Sequence, residues 1–360
     1  MPDTQWSIPV QTTPSMRHIL SADYRMDRRY RVRSFSLTAF AAGAMAFGAG
    51  CRVQNQTASD STAVMQAGRT ALPAHFDAAL WQPPVETDIP NDSLGASIRR
   101  GLALITHTTD SLPAFATGKL NCTNCHLNAG RNVDAAPLAG AQARFPKYMD
   151  RTGAVIGLAD RVNYCFTRSL AGNRLPVDSR EMEDILAYLA WLSSGVPVGE
   201  GKKLAGSEGL RAMPGQLIGD RTRGATVFTA KCAACHGVDG QGNPAIPPGV
   251  PPLWGSKSFS VGASMAREGK AASFIWHNMP FGQGKTLTQQ EAFDVAAYIT
   301  SQPRTDSPGK ELDWPAGGTP NDVPYTTKAH PAYHAPPLLP RANTRDAIVP
   351  RPAPVRGPRT

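Results

Sequence analysis

Two five-residue strings, Cys122-Thr-Asn-Cys125-His126 and Cys232-Ala-Ala-Cys235-His236, stand 110 residues apart and constrain this chain more than anything else in it. Each reads Cys-x-x-Cys-His. In that pattern two thiols add to the vinyl groups of a haem, and the short turn places the following histidine for the iron. A zinc site would need further Cys or His pairs at ligand spacing, and none stands nearby. Two strings therefore point to two covalently bound haem c groups, with Cys122, Cys125 and His126 holding one and Cys232, Cys235 and His236 the other.

The strings sit in a longer repeat. The segments EMEDILAYLAWLS (181–193) and EAFDVAAYITSQP (291–303) both place apolar residues at three- and four-residue steps, so both are expected as amphipathic helices. Glu181 and Glu291, Asp184 and Asp294, Tyr188 and Tyr298 are again 110 residues apart. Helices are also expected ahead of each string, at 97–108 and 221–232. Helix, haem string, long loop and closing helix resemble the layout of class I cytochrome c domains. The expected fold is mainly α: two class I cytochrome c domains in tandem, loop-rich, with an extended Pro-rich C-terminal tail. The 33 glycines and 32 prolines favour loops over long regular elements.

The amino end reads as an export segment. A basic stretch from Asp27 to Arg33 precedes a run of small and apolar residues from Phe35 to Gly50, too short and too rich in glycine for a stable membrane span. Met26 is an alternative start, and Arg28-Arg29 is a weak twin-arginine match. Cys51 follows Gly-Ala-Gly, so a lipid anchor there and simple cleavage nearby both stay open, although Gly48 stands where a lipoprotein signal usually has leucine. Export implies a periplasmic protein. The expected organisation is 1–50 export segment, 51–70 flexible linker, 71–200 first cytochrome domain, 201–215 linker, 216–305 second cytochrome domain, 306–326 extended wrapping segment, and 327–360 disordered Pro- and Arg-rich tail. The formal charge of +9 does not mark nucleic-acid binding. Residues 1–50 carry six basic and three acidic side chains and 303–360 carry eight and five, so the middle keeps only +3.

Each iron needs a sixth ligand. In the second module Met279 precedes Pro280 in a glycine-bearing loop and is the candidate, with His277 as competitor. Stepping back 110 residues from Met279 gives Ser169, with no methionine near and Cys165 four residues away. Met149 is too early, and Met182 falls on the closing helix. Cys165 is therefore the candidate sixth ligand of the first iron; an inert buried cysteine and a disulfide with Cys51 are the alternatives. Arg151, Arg161, Arg168 and Ser169 surround it in sequence, and guanidinium groups bind oxyanions and favour a thiolate.

At this point a resemblance becomes specific. The first string followed by RTGAVIGLADRVNYCFTRSLAG, together with DIPNDSLGASIRRG and DWPAGGTPNDVPY (313–325), resembles the diheme thiosulfate dehydrogenases that form tetrathionate. The resemblance implies that residues 71–200 are catalytic, with the first iron ligated by His126 and Cys165. It implies that Arg151, Arg161 and Ser169 hold substrate. The domain at 216–305, ligated by His236 and Met279, would pass electrons to a soluble or membrane cytochrome. The reaction implied is oxidation of two thiosulfate to tetrathionate, or its reverse. Some members carry a lysine beside the methionine that can replace it; here the neighbour is Asn278, so plain His/Met ligation is expected. Two other classes fit the residues: a non-catalytic diheme electron carrier, and a sulfur-oxidation cytochrome acting with a partner subunit.

Overall fold

The computed structural model describes residues 76–210, 213, 217–246 and 249–341. The export segment, the 51–70 linker and Cys51 lie outside them.

Each module is built on a crossed helix pair. In the first, α1 (Ser93–Thr106) is followed by α2 (Leu158–Tyr164) and α3 (Arg180–Trp191). In the second, α4 (Arg221–Lys231) is followed by α5 (Glu268–Asn278) and α6 (Gln289–Thr300). The starts follow from capping residues: Asp92, Ser179, Asp220 and Thr288 each accept a backbone N–H of the first turn, and Glu291 closes a capping box with Thr288. The four helices expected from periodicity are all present, with ends shifted by up to four residues.

α1 crosses α3, and α4 crosses α6, at glycines. A Cβ on Gly101 would stand 2.0 Å from the Asp184 carbonyl oxygen and 2.8 Å from Tyr188 Cβ; on Gly224 it would stand 2.0 Å from the Asp294 oxygen and 2.8 Å from Tyr298 Cβ. Both crossings are too close for any other residue. Beside each glycine an arginine grips the same aspartate through two bonds: Arg100 to Asp184 at 2.7 and 2.8 Å, Arg223 to Asp294 at 2.7 and 2.8 Å. The modules thus repeat in contacts as well as in sequence. The glycines are 123 residues apart, not 110, because residues 107–121 intervene between α1 and Cys122, whereas α4 runs straight into Cys232. That insertion reaches across to the second module, where Lys119 N–H donates to the Lys257 carbonyl at 2.9 Å.

One apolar core gathers Ile98, Ile105, Phe166, Met182, Tyr188 and Leu192, the other Phe228, Trp254, Ala292, Val295 and Ile299; Met265 packs against both. The described residues belong to one compact unit. Within the segment expected as a linker at 201–215, Leu204, Leu210 and Met213 are buried. None of the described helices is long and apolar enough to cross a membrane.

β1 (Lys147–Met149) and β2 (Ala154–Ile156) form an antiparallel hairpin. β3 (Arg304–Thr305) pairs in parallel with β4 (Leu338–Leu339). This second pairing corrects an expectation. The tail from 327 is not disordered as far as the structure describes it: the Pro337 carbonyl accepts from Arg304 N–H at 2.9 Å, and the Arg341 guanidinium donates to the Ala171 and Gly172 carbonyls. Proline lacks a donor but its carbonyl still accepts, so a Pro-rich strand suits a sheet edge. Arg304 itself is fully buried, lies 4.0 Å from the Phe259 ring centre and donates to the Leu253, Phe259 and Ile299 carbonyls; burial pulls its pKa down to about 9.

Candidate active site

The first string forms a tight turn, Cys122–Asn124, ending at His126. The His126 Nδ1 meets the Ala136 carbonyl, and in the second module the His236 Nδ1 meets the Pro251 carbonyl at 3.1 Å. A carbonyl can only accept, so each Nδ1 carries the proton and each Nε2 keeps its lone pair for a metal. Cys122 and Cys125 share their surroundings with Cys165. Burial, chiefly, pushes the Cys122 thiol up to about 11 and the Cys125 thiol up to about 12, and the Cys165 charge adds to both. Two thiols, an imidazole with a free nitrogen and a third sulfur within hydrogen-bonding reach of that imidazole form a donor set that fits a covalently held haem iron.

Cys165 sits where α2 widens into a π-turn, Cys165–Ser169. Burial raises its pKa, but the Arg161 guanidinium and the His126 ring more than offset that and leave it at about 6. The thiolate therefore predominates at neutral pH. Arg161, one turn earlier, donates from Nη1 to Cys165 Sγ at 2.9 Å.

The remaining predicted residues are disposed differently. Arg151 lies at the tip of the β1–β2 hairpin. Its Nε donates to Asp313 at 3.0 Å, and its Nη2 to the Gly262 carbonyl at 2.7 Å and to Tyr325 Oη at 2.5 Å, which leaves Nη1 for anything else. Arg168 donates to Asp313 at 2.7 Å and to Ser307 Oγ at 3.1 Å. Both guanidiniums lie 5.5 Å from the Tyr164 ring centre. Asp313 also accepts from Tyr164 at 3.2 Å and Tyr325 at 2.8 Å, and its side chain is 1% exposed. Ser169 ends the π-turn, and its carbonyl accepts from Ser260 N–H at 3.1 Å. So Cys165, Arg161 and His126 meet directly, whereas Arg151 and Arg168 converge on Asp313 behind Tyr164. Sequence reasoning missed Asp313 and Tyr325 as organisers. The signal lies in the 313–325 segment, DWPAGGTPNDVPY, which carries both residues.

In the second module Met279 follows α5 and packs against the cluster holding Cys232, Phe228 and Trp254. It also packs against the small cluster of Ala135, Leu210 and Phe274, as do Leu127 and Ala136 of the first module. The competitor His277 is turned onto its own helix, with Nδ1 at 2.8 Å from the Ser273 carbonyl. Asn278, 7% exposed, donates to the carbonyls of Phe274 at 2.9 Å and Asp134 at 3.1 Å and accepts from Asn132 at 3.0 Å. The loop that holds His126 thus clasps the residue before Met279. Met182, fully buried, belongs to the first core.

Comparison with known proteins agrees with this architecture. Residues 114–198 match the SoxA/TsdA cytochrome c domain family, and residues 222–303 match the cytochrome c family. The thiosulfate dehydrogenase of Psychrobacter arcticus is 40% identical over 260 residues, 71% of this chain and 79% of that protein. That of Allochromatium vinosum is 39% identical over 61% of this chain and 83% of that protein. The solved thiosulfate dehydrogenase TsdBA of Marichromatium purpuratum superposes with a TM-score of 0.60 at 28% identity, covering 70% of this chain and 58% of that one. Two tandem cytochrome c domains carry two covalently bound haem c groups here. This chain belongs to the thiosulfate dehydrogenase family of diheme c-type cytochromes.

Proposed function

We propose that the protein works in the periplasm, joining two thiosulfate dianions into tetrathionate and delivering the two released electrons to a cytochrome acceptor. The bound haems supply the electron sink and relay. His126 and Cys165 would hold one iron, with Cys122 and Cys125 in the thioether links. His236 and Met279 would hold the other, with Cys232 and Cys235. The observation that carries the reading is the Arg161–Cys165 contact at 2.9 Å beside His126: a thiolate stabilised by a guanidinium, in a module that otherwise copies an electron carrier.

Arg161 keeps Cys165 deprotonated and offers its remaining donors to substrate; Arg151, through Nη1, and Ser169 would share that task. Cations are needed because each unit-charge pair of the two dianions repels by about 1 kcal/mol at 4 Å in water, and by several-fold more in a drier site. Electron passage between modules is supported by the Asn132–Asn278 bond and by the cluster of Ala135, Leu210 and Phe274, against which Met279 and the loop of the first string both pack.

Purified holoprotein, mixed with thiosulfate and ferricyanide and no other protein, should reduce ferricyanide and yield tetrathionate. An electron paramagnetic resonance spectrum of the ferric protein should show one thiolate-bound low-spin haem beside one His/Met haem. The SoxA/TsdA family match also admits a sulfur-oxidation cytochrome that needs a partner subunit. Turnover by the chain alone excludes that reading, and its absence with two His/Met-type signals would leave an electron carrier.

A further inference from the structure

The reading above leaves part of the positive charge near Cys165 without a task. Arg144 ends the short turn Gln142–Arg144, Lys147 opens β1, and Arg161 stands on α2. Lys147 is exposed, while Arg144 and Arg161 are half-buried, and Arg161 touches the thiolate. Lys147 lies over the Phe145 ring at 5.2 Å. Arg144 donates to the Ser207 and Pro137 carbonyls, both at a long 3.3 Å.

The contrast with Arg151 and Arg168 is informative. Those two share the buried carboxylate of Asp313 as a built-in counterion. Arg144, Lys147 and Arg161 make no ion pair among the described residues, although Glu208 lends some support to the charge of Arg144. Burial and then the charge of Arg161 push the Arg144 pKa down; burial and then Arg144 and Arg161 do the same to Lys147. Three like charges that strain one another at the edge of a buried thiolate are held at a cost that an anion from outside the polypeptide would relieve. Among the described residues, Arg161 gives one of its five donors to Cys165, Arg144 gives two to carbonyls, and the Lys147 ammonium gives none to a protein acceptor. The unused donors suit the oxygens of a dianion.

We propose that Arg144, Lys147 and Arg161 form an anion site beside Cys165, which takes the paired oxygens of a doubly charged anion. Two sources carry that chemistry: a thiosulfate placed beside the one at Cys165, and the two carboxylates of the first haem. The proposal rests on the thiosulfate reading for the first source and only on haem attachment for the second.

The test uses full-length holoprotein with Lys147→Gln, Arg144→Gln, the charge-keeping Arg144→Lys, and Lys202→Gln as a charge-matched exposed control. Ferric protein is titrated with thiosulfate by calorimetry, KM and kcat are measured at low and high salt, and the haem carboxylate bending band is followed by resonance Raman. If thiosulfate is the occupant, Kd and KM rise about fivefold or more in the Gln variants. In that case kcat changes less than twofold, the effect shrinks with salt, and Arg144→Lys recovers most of the loss. If haem carboxylates are the occupant, Kd and KM hold and the Raman band moves. Kd, KM and band all unmoved, or a KM rise equal to that of Lys202→Gln, overturns the proposal. Failure of the wild type to turn over would strike the proposed reaction, while calorimetry and the Raman band would still judge this site.

Discussion

The two modules share a frame and part company at one residue. Each crosses its helices at a glycine, Gly101 or Gly224, ties that crossing with a two-pronged Arg–Asp pair, and points a histidine Nδ1 at a backbone carbonyl. As proposed ligands opposite that histidine, the first module offers Cys165 beside Arg161, whereas the second offers Met279, which packs against the cluster of Phe228 and Trp254 as Cys232 does. A thioether in apolar surroundings favours ferrous iron; a thiolate fed by guanidinium favours ferric iron and an anionic substrate. The helical frame sets where a haem sits, and the loop opposite the histidine sets what it is for.

The most direct way to break the contrast is to erase it. Cys165→Met gives the first module the ligand proposed for the second, and turnover should fall on the order of 10³-fold or more while the spectrum of the second haem is unchanged. Ferricyanide assays and paramagnetic resonance measure the two halves of that statement. Next in size is Asp313→Asn. The carboxylate is 1% exposed and holds Arg151 and Arg168, whose side chains are 14% and 12% exposed. Breaking a buried pair of this kind costs about 3 kcal/mol. Denaturant unfolding of the holoprotein should show the loss, and the unmoored arginines should raise KM; the second module has no counterpart residue and should keep its spectrum.

The frame was legible and the bracing was not. Periodicity located α3 and α6 because each must bury an apolar stripe, and the 110-residue offset pairs Asp184 with Asp294. Offset arithmetic pointed at Ser169 and fell four residues past Cys165. Cys165 and Ser169 are the two ends of one π-turn. Asp313, however, stands 162 residues from Arg151 and 145 from Arg168, and such partners leave no period in a sequence. Composition also misjudged residues 327–341, because a Pro-rich segment that would stay unstructured alone can be held by a neighbouring strand and one arginine.

If the frames are equivalent, damage to them should be equal. Gly101→Ala and Gly224→Ala each drive a Cβ to 2.0 Å from a carbonyl oxygen, and the crossing helices must separate. Each change should cost about 1–3 kcal/mol, and the two values should agree closely. A large difference, seen in thermal or denaturant unfolding, would mean that the insertion at 107–121 braces the first crossing through Lys119 and Lys257 and that the repeat is less exact in energy than in geometry.

The smallest effect belongs to the seam between the modules. Asn132 donates to Asn278 at 3.0 Å, and Asn278 in turn donates to the Asp134 carbonyl at 3.1 Å, so two amides stitch the loop after His126 to the residue before Met279. Asn132→Ala leaves one acceptor of a 7%-exposed side chain without its partner, which costs about 1 kcal/mol. Helix packing inside each module does not depend on that bond, so both haem spectra should persist. The change should instead appear in stopped-flow traces as slower transfer from the first haem to the second, with thiosulfate binding unaltered. Transfer at the wild-type rate would mean that the shared cluster of Ala135, Leu210 and Phe274, against which Leu127, Ala136 and Met279 all pack, sets the distance between the modules by itself.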